Sequence, residues 1–212
     1  MEEFKRFINL KKRLRQLAEQ NLENRYVKIG DFTYGNPRIL SWDEGSYLSI
    51  GKFCSIADDV TILMGGEHRG DWNTTYPFNA LLDDFAYIEG HPKTKGDINI
   101  GNDVWIAHGS KILSGVNIGD GSIIGANSLV GSDVKPYHIV VGNPIRHIKM
   151  RYSKRDVNKL MLMQWWNWDE EDIFKMIPIL QSNDIKSLWN YFNNEIKCRY
   201  CINNRNATPP KI

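Results

Sequence analysis

Residues 100–131 read IGNDVWIAHGSKILSGVNIGDGSIIGANSLVG, and their spacing decides the fold. An aliphatic side chain recurs every six positions, at Ile100, Ile106, Ile112, Ile118, Ile124 and Val130. The residue after it is small in five of these six units, as Gly101, Ala107, Gly119, Gly125 and Gly131, with Leu113 the exception. Four residues after each aliphatic stands Val104, Ser110, Val116, Ser122, Ser128 or Val134. A plain strand or a plain α-helix does not hold a six-residue register. Six residues make one side of a triangular coil, a short strand and then a tight turn. The aliphatic side chain points into a narrow prism, and the small residue behind it is expected to let the backbone turn the corner. Three units complete a coil, and coils stack strand on strand at about 4.8 Å.

Outward from this core the same unit appears as Ile29-Gly30, Ile50-Gly51, Ile56-Ala57 and Ile62. Between Ile62 and Ile100 the register jumps by 38 residues, six units plus two, so residues 65–96 are predicted to leave the coil as a long loop. Loops of this length in compact proteins are functional or disordered. This one carries His68, Trp72, Tyr76, Phe78, Phe85 and Tyr87 and is too aromatic for simple disorder. The coils are assigned to residues 26–150. Residues 1–25 are predicted to form an N-terminal helix with Phe4, Phe7, Ile8, Leu14, Leu17, Ala18 and Leu22 on one face and Lys5, Arg6, Lys11, Lys12, Arg13 and Arg15 on the other. That basic face reads as the solvated side of a docking helix, with a membrane-surface helix as the alternative. C-terminal helices are expected over 151–197, entered through Ser153 and Asp156 at capping-box spacing, with the acidic run Asp169 to Asp172 opening a later helix. Residues 198–212 read as a flexible tail.

Composition narrows the function classes. The 212 residues carry 27 basic and 25 acidic side chains, a balance that argues against a dedicated nucleic-acid binder. Three cysteines cannot make a disulfide framework, no segment has the form of a signal peptide, and no apolar run is long enough to span a membrane. The expectation is a soluble, cytoplasmic protein. Cys54 takes a small inward position of a repeat, and Cys198 and Cys201 read as incidental thiols, since a lone CxxC is a weak metal signal. Charge is uneven: residues 26–96 carry a net −4 between ends that each carry +3.

Three segments together, Ile100-Gly101-Asn102-Asp103-Val104-Trp105-Ile106, Gly142-Asn143-Pro144 and Trp165-Trp166-Asn167-Trp168, resemble the xenobiotic acetyltransferases. This branch of the hexapeptide-repeat acyltransferases includes type B chloramphenicol and streptogramin acetyltransferases. The segment His68-Arg69-Gly70-Asp71-Trp72-Asn73-Thr74-Thr75-Tyr76-Pro77-Phe78 is similar to the family's histidine loop. The resemblance spans residues 26–192. It implies a mainly β, left-handed parallel β-helix that assembles as a homotrimer, with active sites between subunits. It also implies transfer of acetyl from acetyl-CoA to a hydroxyl, without a metal. A hydroxyl is a weak nucleophile at neutral pH and needs a base as it attacks a thioester, a task suited to histidine. The family role falls on His68, with both substrates held in one ternary complex. His91, His108, His138 and His147 have no motif around them and read as structural.

By the same resemblance Ala107, Ala126, Gly131 and Ser132 match positions that contact the pantetheine arm, although some relatives carry lysine where Ser132 stands. Arg146 and Lys149 match positions that meet the nucleotide phosphates, which guanidinium and ammonium groups suit. Trp105 either walls the cofactor groove or packs on the outer face. For the acceptor, the stretch between Ile29-Gly30 and Ile50-Gly51 is shorter than in antibiotic-acetylating relatives, leaving Tyr34, Trp42, Asp43 and Glu44 to shape the pocket. Glu67, where streptogramin enzymes carry asparagine, and Asp71 would make an acidic entrance beside Tyr76. Carboxylates with aromatics favour a sugar or surface-glycan acceptor over an antibiotic, with ordinary solvated loop charges as the plainer reading. The rival classes are a non-catalytic β-helix assembly module and a metal-dependent hydratase.

Overall fold

The structure is a computed structural model that describes residues 1–20 and 26–197. Leu22 and the Cys198–Cys201 tail lie outside the described residues. Helix α1 (Glu2–Gln20) is followed by β1 (Val27–Ile29), β2 (Arg38–Leu40), β3 (Leu48–Ile50), β4 (Ser55–Ile56) and β5 (Thr61–Leu63). A long excursion bearing the single turn α2 (Phe78–Leu81) leads to β6 (Ile98–Ile100). Then come β7 (Trp105–Ile106), β8 (Lys111–Ile112), β9 (Asn117–Ile118), β10 (Ile123–Ile124) and β11 (Leu129–Val130). A closing pair, β12 (His138–Val141) and β13 (Arg146–Met150), precedes helices α3 (Lys154–Met163), α4 (Glu170–Leu180) and α5 (Ile185–Tyr191).

The strands make three sheets, hereafter faces: β1-β3-β6-β9 is the first, β4-β7-β10-β12-β13 the second and β2-β5-β8-β11 the third. From β3 to β11 the chain visits first, second and third face in turn, and every pairing is parallel except β12 with β13. Ile100 pairs with Ile118, Ile106 with Ile124 and Ile112 with Val130, one coil per eighteen residues as the six-residue period requires. One coil earlier the pairs are Ile50 with Ile100, Ile56 with Ile106 and Ile62 with Ile112. That spacing of fifty residues leaves 32 more than a coil needs, the length of the 65–96 excursion.

The repeating aliphatics fill the prism: Ile62, Ile106, Ile112, Ile124 and Val130 are fully buried. Serines at the second inward position are also buried but not orphaned, because the Ser110 and Ser128 hydroxyls donate to the Gly125 carbonyl and Ser122 donates to that of Gly119. Cys54 is fully buried as well, and its thiol donates to the Gly101 carbonyl at 3.1 Å. Burial pushes this thiol up to about 11.

The corners differ from the sequence expectation in one respect. The residue with positive φ is not the small one directly after the aliphatic but the one three positions on: Asp103, Gly109, Gly115, Gly121 and Asn127, with φ between 55° and 75°. Glycine, Asn and Asp are the residues that tolerate this conformation. Phe32 and Phe53 also adopt it, and their rings stack at 4.6 Å on successive coils. The glycine next to the aliphatic serves close approach of coils. A Cβ on Gly51 would lie 2.5 Å from the Gly101 carbonyl oxygen, and one on Gly101 would lie 2.7 Å from the Asp120 nitrogen.

The chain divides into two compact units, Asn9–Tyr152 and one that joins Met1–Ile8 to the residues from Ser153 onward. Within the coil unit, Lys11 leaves the solvated face assigned to it and pairs with Asp31 at 3.0 Å. In the other unit Ser153 caps α3, accepting from the Asp156 amide while its hydroxyl donates to the Asp156 carboxylate. Trp166, Trp168, Leu160, Met163 and Ile173 form its core, and the Trp168 indole donates to the Met163 carbonyl. Phe4 and Phe7 pack on Phe174 with centroids 5.3 and 5.7 Å apart.

Candidate active site

The excursion leaves the prism at the edge that follows the third face. Its two ends are held together there: Glu67 and Lys93 exchange backbone hydrogen bonds of 2.9 and 2.8 Å, and the Thr94 hydroxyl donates to the Met64 carbonyl. The Lys95 amide donates to the hydroxyl of Ser114, which sits at the same edge one coil further on. The turn after β2 adds a clamp. The Glu44 carboxylate accepts a short hydrogen bond from the Gly66 amide and a 3.0 Å bond from the Trp42 amide. The Trp42 ring occupies the space where a side chain on Gly66 would stand, and the φ of +79° at Gly66 admits glycine readily.

This stem presents His68 at the surface. Its Nδ1 lies 2.7 Å from the Thr75 carbonyl oxygen. A carbonyl only accepts, so Nδ1 carries a proton, and in the neutral ring Nε2 holds the free lone pair. That tautomer is the one a general base needs. Arg69 ties the loop behind it: its guanidinium makes a two-pronged contact with Asp71 at 2.7 and 2.5 Å, lies 5.1 Å from the Trp72 ring centre and reaches the Gly90 carbonyl. The hydrogen bonds from Arg69 hold the Asp71 carboxyl well below the usual carboxylate range, and those to Asp71 raise Arg69.

The acidic entrance expected from Glu67 and Asp71 does not form. Glu67 accepts from the Ser114 hydroxyl at 3.1 Å and has the Lys95 ammonium at 3.4 Å, while Asp71 is neutralised by Arg69. Both carboxylates are structural members of the loop. Tyr76 follows Thr75 as an exposed ring 4.8 Å from Phe78, and its amide donates to the Thr74 hydroxyl. Tyr34 is placed elsewhere. It bridges to Ser55 on the second face and does not share the His68 edge.

The residues expected to meet the cofactor also divide. Gly131 and Ser132 follow β11 at the His68 edge, two coils beyond the start of the excursion, or about 10 Å along the prism. Ala107 and Ala126 follow β7 and β10, at the edge between second and third faces. Across the second face runs a row of cross-strand neighbours, Tyr34, Ser55, Trp105, Ile123, Ile139 and Lys149. Trp105 is half-exposed, so it lines the outside of the prism, and Lys149 closes the row about 14 Å away. Arg146 stands exposed opposite Val141 on the same strand as Lys149. Nearby, burial and the His147 ring at 4.3 Å hold His138 below its usual range. A single chain thus places His68 at one edge and most cofactor candidates on the second face and its far edge.

One contact of His68 that the sequence does not signal is with His91, which reads there as structural. The pairing of Glu67 with Lys93 folds the excursion back, so that the His91 ring stands 4.7 Å from the His68 ring at 82°. No local pattern marks this contact, because it depends on where a loop returns. Among the described residues no group of three or more His, Cys, Asp or Glu side chains is placed to hold a metal ion, and no helix is long and apolar enough to cross a membrane.

The chain is similar to one family model and to several named proteins. Residues 97–132 match the family model described as "Bacterial transferase hexapeptide (six repeats)". Over 194 residues the chain is 37% identical to "Chloramphenicol acetyltransferase" of Morganella morganii, covering 84% of this chain and 92% of that one. It is 42% identical over 167 residues to "Probable macrolide acetyltransferase" of Lysinibacillus sphaericus, covering 76% and 84%. It is 36% identical over 187 residues to "Virginiamycin A acetyltransferase" of Staphylococcus aureus, covering 82% and 85%.

Proposed function

The chain belongs to the xenobiotic acetyltransferase branch of the hexapeptide-repeat acyltransferases, and on that premise we propose that it acetylates a hydroxyl of an antibiotic-like acceptor from acetyl-CoA with His68 as general base. The observation that carries the chemistry is the 2.7 Å contact of His68 Nδ1 with the Thr75 carbonyl, which leaves Nε2 to take a proton. As the acceptor oxygen attacks the thioester carbonyl carbon, its proton passes to Nε2. The tetrahedral oxyanion then collapses, the carbon–sulfur bond breaks, and the CoA thiolate regains a proton from Nε2. No covalent enzyme intermediate is needed, because both substrates react within one complex.

The acceptor reading moves away from a saccharide. That reading rests on free carboxylates beside aromatics, and Glu67 and Asp71 are engaged inside the loop instead. Relatives that each share more than a third of their aligned residues with this chain are named for chloramphenicol, a macrolide and virginiamycin, which supports a drug-like hydroxyl. The exposed Trp42, Tyr76, Phe78 and Phe85 suit an apolar, partly aromatic molecule.

The assembled form in this reading is a trimer of left-handed coils in the cytoplasm. A second copy would bring its outer face, with Trp105, Tyr34 and Lys149, against the His68 edge of the first. The separation of these residues within one chain supports an active site between subunits. The test is a thiol-release assay with acetyl-CoA and a panel of chloramphenicol, macrolides, streptogramins and sugars. Antibiotic turnover with kcat/KM above about 10⁴ M⁻¹s⁻¹, lost about 10²–10⁴-fold in His68→Ala, is the expected result. Turnover of sugars alone overturns the acceptor, and failure to bind CoA in calorimetry overturns the activity.

A further inference from the structure

We propose that His91 is a positioning residue for His68, a brace that keeps the base's ring turned so that Nδ1 stays on the Thr75 carbonyl and Nε2 faces the reacting hydroxyl; this rests on the reading of His68 as general base. His68 is exposed, and an exposed imidazole is free to turn about its last side-chain bond unless something stops it. One hydrogen bond, to Thr75, fixes a point on the ring but not its plane. The plane is set by the second contact, the nearly perpendicular His91 ring at 4.7 Å. Edge-to-face packing of this kind has a preferred geometry and resists rotation of either ring.

His91 is itself held. Its carbonyl accepts from the Asn79 side-chain amide at 3.3 Å, and the same amide donates to the Ile88 carbonyl at 2.8 Å, so α2 and the returning segment of the excursion are tied together at His91. Two residues later the Glu67–Lys93 pairing locks the return. Neither His91 ring nitrogen has a hydrogen-bond partner among the described residues, although both are buried. The ring therefore acts on His68 through its flat shape and not through a hydrogen-bond relay. This distinguishes it from the third member of a nucleophile–base–orienter chain, where a carboxylate or amide bonds the base directly. Here the direct orienter is a main-chain carbonyl, and a packed ring supplies the remaining constraint.

The test uses the full-length protein, its His91 variants and two readouts. In steady-state thiol release, His91→Ala is expected to lower kcat about tenfold while KM for acetyl-CoA stays within about twofold, because only the orientation of the base is disturbed. His91→Leu, which fills the volume without a flat face and guards against a collapsed loop, should fall with it. His91→Phe, which keeps a flat ring without nitrogens, should stay within about threefold of the native kcat. The second readout needs no acceptor: nitrogen-15 spectra of the labelled imidazoles should show His68 as a single Nδ1–H tautomer in the native protein and in His91→Phe, and as a tautomer mixture in His91→Ala and His91→Leu. An unchanged His68 spectrum in both of those variants overturns the proposal, as does a kcat within twofold of native. A Phe variant as impaired as Ala overturns it too. If the native protein turns over no acceptor, the acetyl-transfer reading fails, and the spectra still decide whether His91 orients His68.

Discussion

Glu44→Ala should loosen the histidine loop at its root without unfolding the prism. In the native chain one carboxylate accepts from two backbone amides, those of Gly66 and Trp42. The Gly66 bond is partly buried, and a hydrogen bond to a charged group there is worth about 1.5–3 kcal/mol. The Trp42 bond is exposed and adds at most a few tenths of a kcal/mol once water replaces the carboxylate. The Trp42 ring, packed over Gly66, loses its anchor at the same time. A net loss of about 2 kcal/mol corresponds to roughly a thirtyfold rise in local opening. Hydrogen exchange followed by mass spectrometry should therefore show residues 65–69 exchanging about thirtyfold faster, with the coil strands β7 to β11 unchanged. Glu44→Gln, which retains one oxygen acceptor, should fall between the two. kcat should drop with the faster exchange, since His68 stands two residues from Gly66. Exchange of 65–69 within twofold of native in Glu44→Ala would show that the clamp does not hold the loop, and the reasoning would fail.

Three further outcomes follow from other parts of the molecule. Gly101→Ala should cost about 1–3 kcal/mol in chemical denaturation, because its Cβ would lie 2.7 Å from the Asp120 nitrogen on the next coil; Gly70→Ala, with open space around it, should be neutral within about 0.5 kcal/mol. The Arg69–Asp71 contact lowers the folded Asp71 pKa, so its stabilising effect is complete above the ordinary carboxylate range, near pH 4, and fades as pH falls through the depressed value. Carbon-13 titration of the Asp71 carboxyl should show no protonation at pH 4, and Arg69→Ala should restore an ordinary midpoint. Lys149→Ala, at the end of the row that includes Trp105, should weaken CoA binding about fivefold or more in calorimetry and affect dephospho-CoA less; equal loss for both ligands would detach Lys149 from the phosphates.

How much of this was legible beforehand varies from residue to residue. The eighteen-residue coil, the inward aliphatics and the length of the excursion all follow from a repeat whose period is set by local geometry, and the register pairs Ile100–Ile118 and Ile106–Ile124 agree with it. The Ser153 cap was legible for the same reason, since its partner Asp156 lies within one turn. The chain turns its corners two positions later than the small residues suggest, because Gly101 and Gly119 meet the demand of a neighbouring coil, while Asp103 and Asn127 meet the demand of φ. Composition shows where small residues stand and not which of the two demands each one answers.

By itself the sequence determined the prism, the place where the chain leaves it and the histidine that the excursion carries, because a six-residue period and a motif are both written along the chain. Only the tertiary structure decided what surrounds that histidine. In the sequence Glu67 and Asp71 read as free carboxylates, but Ser114, Lys95 and Arg69 stand beside them, and the bridge of Tyr34 to Ser55 sets it on the second face, away from the His68 of its own chain. The His91 ring comes to lie beside His68 through the antiparallel return at Lys93, 26 residues after Glu67. Charge and proximity depend on partners brought together by loop closure, and loop closure is fixed by contacts between segments that no local pattern records.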